Sequence, residues 1–231
     1  MVSKLVKICG VKTVETALAA ARMGADMIGF VFYTKSPRYL APEIAGDIAL
    51  EVREVSYAED FTPPRFVGLY VDAGEKLLAE TAPFLSLFQF HGHEDAERIK
   101  SVQDEFGIDI IRAVGVTDAA DVERAAEFAE VADMLLFDAK PPKGADRNGG
   151  NGLAFDWGAL ESYGHATPFL LAGGLTSQNV KEAILTLAKM PAFIGVDVSS
   201  GIEIDPGVKD PAGIEAFITS ARNAYQELGL K

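Results

Sequence analysis

Short apolar runs of about five residues recur along the chain, separated by stretches whose apolar positions repeat every three to four residues. The first pattern suits strands buried on both faces, and the second suits amphipathic helices laid against a sheet. Eight runs read as strands, at 5–9, 27–32, 66–71, 85–90, 108–113, 134–138, 168–172 and 193–198. The periodic segments between and after them predict helices at 14–23, 42–55, 75–82, 94–106, 119–129, 156–162, 177–189 and 210–228. Thr13 and Thr176 stand ahead of two of these helices, where a hydroxyl can accept from an unpaired first-turn amide. Eight strand and helix pairs in 231 residues predict an α/β fold, a closed (β/α)8 TIM barrel forming one domain over 1–231. An open doubly wound sheet would need a glycine-rich first turn, and Cys9-Gly10-Val11-Lys12 is not one.

Composition narrows the chemistry. A hydrophobic content of 48% supports a full core, and the single cysteine excludes a disulfide framework and suits a reducing compartment. A net charge of -13 provides no field to attract nucleic acid or an anionic membrane, so any anionic substrate must be held by local groups. The first residues lack the apolar core of a secretory signal, and no apolar run reaches membrane-spanning length, which predicts a soluble cytoplasmic protein. Two connections are long for this architecture. The one at 56–65 follows a helix and reads as a solvated insertion away from the chemistry. The other, 139–155, follows the sixth strand. Its Gly144, Gly149, Gly150 and Gly152 suit a lid and its Lys143 and Arg147 an anion, although simple disorder fits equally well.

In a barrel of this kind the site lies where strands end, and these exits are unusually polar. Strand one ends in Lys7 and Cys9, which share a face because strand side chains alternate. Strand four ends in Gln89 and His91, strand six in Asp138, strand seven in Gly173-Gly174, and strand eight in Asp197, Ser199, Ser200 and Gly201. Unpaired buried polar groups are costly, so packing alone explains such exits poorly. Gly173, Gly174, Ser199, Ser200 and Gly201, on neighbouring strands, read as a phosphate cradle of close-approach backbone and hydroxyls. Lys7 and Asp197, also on neighbours, read first as a mutually neutralising interior pair. A lone thiol such as Cys9 fits inert packing or chemistry. His91-Gly92-His93 has metal-like spacing but no third ligand, so no metal is expected.

The motifs Lys7-Ile8-Cys9-Gly10, Ser36-Pro37-Arg38-Tyr39, Gln89-Phe90-His91-Gly92, Phe155-Asp156-Trp157, Leu171-Ala172-Gly173-Gly174-Leu175, Asp197-Val198-Ser199-Ser200-Gly201-Ile202-Glu203 and Pro206-Gly207-Val208-Lys209-Asp210 occur in this order along the chain. Together they resemble the phosphoribosylanthranilate isomerase family of tryptophan biosynthesis. The resemblance implies a (β/α)8 barrel that converts N-(5-phosphoribosyl)anthranilate to 1-(2-carboxyphenylamino)-1-deoxyribulose 5-phosphate without a cofactor. It further implies Asp138 as the acid that opens the furanose, Cys9 as the base that removes the C2' proton, and Arg38 as the fork for the anthranilate carboxylate. Lys7, Gln89, His91 and Asp197 would line the substrate, and Gly173, Gly174, Ser199, Ser200 and Gly201 would hold its phosphate. Free aspartate and cysteine are in the wrong protonation states at neutral pH, so the site is expected to raise Asp138 and to favour the Cys9 thiolate through cations such as Lys7. One departure stands out: Gly149-Gly150-Asn151-Gly152 replaces the family's usual Gly-Gly-Thr-Gly. The expected partner is a small phosphosugar, with no nucleic acid or membrane, on a monomer or homodimer. The alternatives are the histidine-pathway phosphoribosyl isomerase, which uses aspartate where Cys9 stands, and a noncatalytic phosphosugar-binding barrel.

Overall fold

The computed structural model describes residues 4–140 and 155–230. The expected lid residues Lys143, Gly144, Arg147, Gly149, Gly150, Asn151 and Gly152 lie outside the described residues. Eight parallel strands close in chain order: β1 (Leu5–Cys9), β2 (Met27–Val31), β3 (Arg65–Tyr70), β4 (Leu87–Phe90), β5 (Asp109–Val116), β6 (Met134–Ala139), β7 (Phe169–Leu171) and β8 (Phe193–Val198). Around them lie α1 (Val14–Arg22), α2 (Pro42–Ala58), α3 (Glu75–Thr81), α4 (Ala96–Phe106), α5 (Ala119–Arg124), α6 (Ala126–Ala129), α7 (Val180–Leu187) and α8 (Pro211–Glu227). Among the described residues no helix is long and apolar enough to cross a membrane.

Strand alternation divides the core in two. Met27, Val67, Leu87, Ile111, Met134, Leu136 and Leu170 fill the barrel, while Val6, Ile8, Phe30, Phe66, Phe88, Phe137 and Phe193 pack outward under the helices. Because both faces are buried, each strand is a continuous apolar run rather than an alternating one.

Several elements differ from expectation. Helix α2 continues to Ala58 because nothing breaks it before Asp60, whose φ of 58° ends the turn, so the 56–65 insertion shrinks to a short connection. The fifth helix is split into α5 and α6, and the sixth is a 3-10 turn, Trp157–Ser162. Thr13 caps α1 by accepting from the Thr16 amide, but Thr176 lies a turn ahead of α7 and its hydroxyl accepts from the Gln178 amide instead. Beyond β8 the chain makes an antiparallel hairpin of β9 (Glu203–Asp205) and β10 (Val208–Lys209). Pro206 and Gly207, with Gly207 at φ 84°, form its turn.

Candidate active site

Lys7 on β1 and Asp197 on β8 are register partners across the strand pair that closes the barrel, and Lys7 Nζ lies 2.7 Å from Asp197 Oδ1. Lys7 is fully buried. Burial alone would lower its pKa, but the Asp197 carboxylate and the nearby Cys9 thiol outweigh that and raise it, so the ammonium persists. The two charges form the interior pair that their positions on adjacent strands predict.

Cys9 follows on the same face of β1, opposite Gly29 of β2. A side chain at position 29 would place its Cβ 2.9 Å from Cys9 Sγ, so glycine there makes room for the thiol. Cys9 is a free thiol with only 4% of its surface exposed. Burial pushes the thiol pKa up, Lys7 and Lys209 oppose this, and Asp197 reinforces it. The net shift is upward, opposite to the favoured thiolate expected from the sequence: the cations beside Cys9 are already committed to carboxylates, and burial prevails.

Asp138 is the penultimate residue of β6, opposite Gly115 of β5. Burial and then the Asp197 charge raise it to about 7, against the pull of the Ala139 amide, Lys7 and Arg38. The carboxyl therefore keeps its proton to near neutrality. His91, just beyond β4, has Nε2 3.5 Å from Asp138 Oδ2. Burial, with Arg112 and Lys7, lowers its pKa to about 4, so the pair is a neutral imidazole beside a carboxyl rather than an ion pair at pH 7. Below it, the buried Gln89 Oε1 has no hydrogen-bond partner among the described residues. Such an orphan acceptor on a site-facing strand suits a donor brought by a ligand or water.

The sixth, seventh and eighth exits approach one another at backbone distance. A Cβ at Gly201 would lie 1.9 Å from the Leu175 carbonyl oxygen, and one at Gly173 would lie 2.2 Å from the Ala139 amide nitrogen. Gly173 and Gly174 both have positive φ, 82° and 64°. Asn179 ties this turn together, accepting from the Thr176 amide and donating to the Gly174 carbonyl. Helix α7 thus begins later than the Gly-Gly pair suggested, and the concave backbone, rather than the helix start, lies nearest the exits. The Gly174 and Gly201 amides donate no hydrogen bond among the described residues. Ser199 and Ser200 lie half-buried beside them.

Arg38 comes to this end of the barrel through the 32–41 loop. Its fork is not empty: Nε and Nη2 donate to Glu203 Oε1 and Oε2 at 2.7 and 2.8 Å. Lys209 Nζ donates to the same Glu203 at 2.7 Å and to the Ser199 carbonyl at 2.8 Å. Glu203 and Lys209 fall within the motifs that carry the resemblance, though neither was expected to take part in the site. The Pro206-Gly207 turn between them was the available signal, since a hairpin there sets them side by side. His91 and His93 diverge, with His93 exposed and paired to Asp72. Among the described residues no three His, Cys, Asp or Glu side chains cluster as metal ligands.

The structure thus gathers Cys9, Asp138 and His91 around the Lys7–Asp197 pair, with the glycine-lined exits and Arg38 at the same end. The sequence model of the N-(5'phosphoribosyl)anthranilate (PRA) isomerase family matches residues 6–220. The chain is 46% identical over 224 residues to the N-(5'-phosphoribosyl)anthranilate isomerase of Rhodospirillum rubrum, covering 96% of this chain and 99% of that protein. To the isomerase of the same name from Rhodopseudomonas palustris strain BisB18 it is 44% identical over 226 residues, covering 97% and 98%. Among solved structures, the phosphoribosyl anthranilate isomerase of Thermotoga maritima aligns with a TM-score of 0.80 at 35% identity, over 96% of this chain and 100% of that one. A phosphoribosyl anthranilate isomerase in complex with reduced 1-(o-carboxyphenylamino)-1-deoxyribulose 5-phosphate aligns with a TM-score of 0.76 at 33% identity, over the same shares.

Proposed function

The chain belongs to the N-(5'-phosphoribosyl)anthranilate isomerase family, and we propose that Cys9 and Asp138 are the base and acid of its reaction. That reaction is the Amadori rearrangement of N-(5-phosphoribosyl)anthranilate to 1-(2-carboxyphenylamino)-1-deoxyribulose 5-phosphate, a step of tryptophan biosynthesis. The observation that carries the assignment is the placement of Cys9 and Asp138 on the inner faces of β1 and β6, around one Lys7–Asp197 pair whose charges act on both.

Asp138 gives its proton to the furanose ring oxygen as the C1'–O4' bond breaks, and the anthranilate nitrogen shares its lone pair to form an iminium. The new carboxylate then faces a cation. The iminium acidifies C2', and Cys9 as thiolate removes that proton to give the enolamine. O2' gives up its hydrogen and C1' gains one, so the ketone forms and both borrowed protons return. Gly173, Gly174, Ser199, Ser200 and Gly201 hold the phosphate, and Arg38 faces the carboxylate. Gln89 and His91 contact the sugar, His91 as a neutral hydrogen-bonding group.

The protonation pattern has a kinetic signature. With Asp138 at about 7 and the Cys9 thiol pushed up by burial, only a minor fraction of free molecules is both protonated on Asp138 and ionised on Cys9. That fraction grows with pH up to about 7 and then levels. Initial rates followed by anthranilate fluorescence should therefore give a kcat/KM that climbs to about pH 7 and then levels. Cys9→Ser and Asp138→Asn should each lose about 10²- to 10⁴-fold in kcat while still binding the reduced product analogue. Near-normal turnover in either variant removes that residue from the chemistry. A folded wild type that binds the analogue without turnover would be the noncatalytic barrel instead. The lone buried thiol suits a reducing cytoplasm, where we place the protein, as a monomer or homodimer.

A further inference from the structure

Arg38 stands between two glycines that could not be anything larger. A Cβ at Gly10 would lie 2.7 Å from Arg38 Cδ, and one at Gly207, on the hairpin turn, would lie 2.3 Å from the Pro37 carbonyl oxygen. The β1 exit and the β9–β10 hairpin therefore clamp the loop that carries Arg38. Within that clamp, among the described residues, Glu203 alone hydrogen-bonds the guanidinium. Glu203 takes the edge formed by Nε and Nη2, bidentate and almost fully buried. A guanidinium has a second edge, formed by Nη1 and the other Nη2 hydrogen, equally able to take a carboxylate in a fork. Nη1 makes no hydrogen bond among the described residues and is not a sealed orphan.

Lys209 completes the arrangement. Its Nζ has three acceptors, Glu203 Oε1 at 2.7 Å, the Ser199 carbonyl at 2.8 Å and Ser199 Oγ at 3.2 Å, which use all three donors of an ammonium. It has none left for a ligand. Burial would push the Glu203 carboxyl up, but Arg38 and Lys209 together hold it below the usual carboxylate range. Arg38 and Lys209 thus bring two positive charges against one carboxylate, an excess that one further carboxylate would neutralise.

We propose that Glu203, braced by Lys209, is a positioning residue that occupies one edge of the Arg38 guanidinium and presents the other to the carboxylate of the ligand. This rests on the isomerase reading and adds to it a specificity device.

The test compares two probes by titration: the reduced 1-(2-carboxyphenylamino)-1-deoxyribulose 5-phosphate and its phenylamino counterpart lacking the carboxylate. Wild type should favour the carboxylated probe. In Glu203→Gln that preference should fall about tenfold, with the decarboxy probe bound within about twofold of wild type. Equal weakening of both probes, the mark of a merely structural role, overturns the proposal, and so does an unchanged preference. Should Glu203→Gln not fold, Glu203→Asp gives the same comparison, since a side chain one methylene shorter keeps the charge but loses the two-point grip. Wild type that binds neither probe overturns the isomerase reading and this proposal with it, whereas an intact wild-type preference that survives in the variants overturns this proposal alone.

Discussion

Asp138 is useful to the reaction because the fold disfavours its charge. Its pKa rises from 3.8 to about 7 through burial and the Asp197 carboxylate, so between those values the unfolded chain releases a proton that the folded chain keeps. A raised carboxyl pKa makes the folded state lose ground as pH rises through this window, the reverse of a salt-bridged aspartate. Replacing Asp138 with asparagine removes the ionisation, so Asp138→Asn should be more stable than wild type at pH 8, by an upper limit of about 4 kcal/mol. The advantage should shrink through pH 6 and vanish near pH 4. Urea denaturation at the three values measures it, and a variant no more stable at pH 8 would mean that Asp138 is not held protonated. The position of Asp138 was legible as the one polar residue closing an apolar run, and that of Cys9 as the odd thiol at an exit. The direction of the Cys9 shift was not, because it depends on Gly29 of the next strand enclosing the thiol and on Asp197 and Glu203 engaging the nearby cations.

At the scale of elements, strands were legible because burial on both faces leaves an unbroken apolar run, and boundaries mostly fell within a few residues. The helices after β5 and β6 were less so. Their spacing reads as helical, but the chain breaks at Ala125 into α5 and α6, and the predicted helix at 156–162 is a 3-10 turn. The β9–β10 hairpin escaped notice because strands of three and two residues are too short to show alternation. The phosphate cradle was legible in composition, yet its geometry comes from one contact between loops. Gly201 sits so close to the Leu175 carbonyl that a methyl group must push the β7 and β8 exits apart. Gly201→Ala should therefore raise KM about tenfold, weaken inhibition by inorganic phosphate in proportion, and destabilise the fold by about 1–3 kcal/mol. Steady-state kinetics with phosphate as inhibitor check this, and an unchanged phosphate constant would place the anion elsewhere.

For the whole molecule, the decisive event is closure of β8 on β1, between segments about as distant in sequence as this chain permits. The count of eight strands and the Lys7–Asp197 pair implied closure, but nothing local in the sequence marks how the last helix is tied to the first strand. Arg222 of α8 makes that tie, donating to the Lys4 carbonyl at 2.8 Å, the Gly24 carbonyl at 2.7 Å and Asp26 Oδ2 at 2.6 Å. Asp26 Oδ2 in turn accepts from the Val6 amide at 2.6 Å, so the last helix grips the entry of the first strand and the turn before the second. All of these groups lie at the strand entrances, the end of the barrel away from Cys9 and Asp138. Arg222→Ala removes every one of the Arg222 bonds. The carbonyls can turn to water at this partly exposed site, so the loss should be about 2 kcal/mol rather than the full sum of three charged hydrogen bonds. Urea unfolding should move to a lower midpoint with an unchanged slope, since the same surface is exposed on unfolding. The kcat of the folded variant should match wild type. A midpoint that does not move would mean that packing of α8, not its arginine, holds the helix against the entry of β1. A fall in kcat at full folding would mean that the two ends of the barrel are coupled through β1.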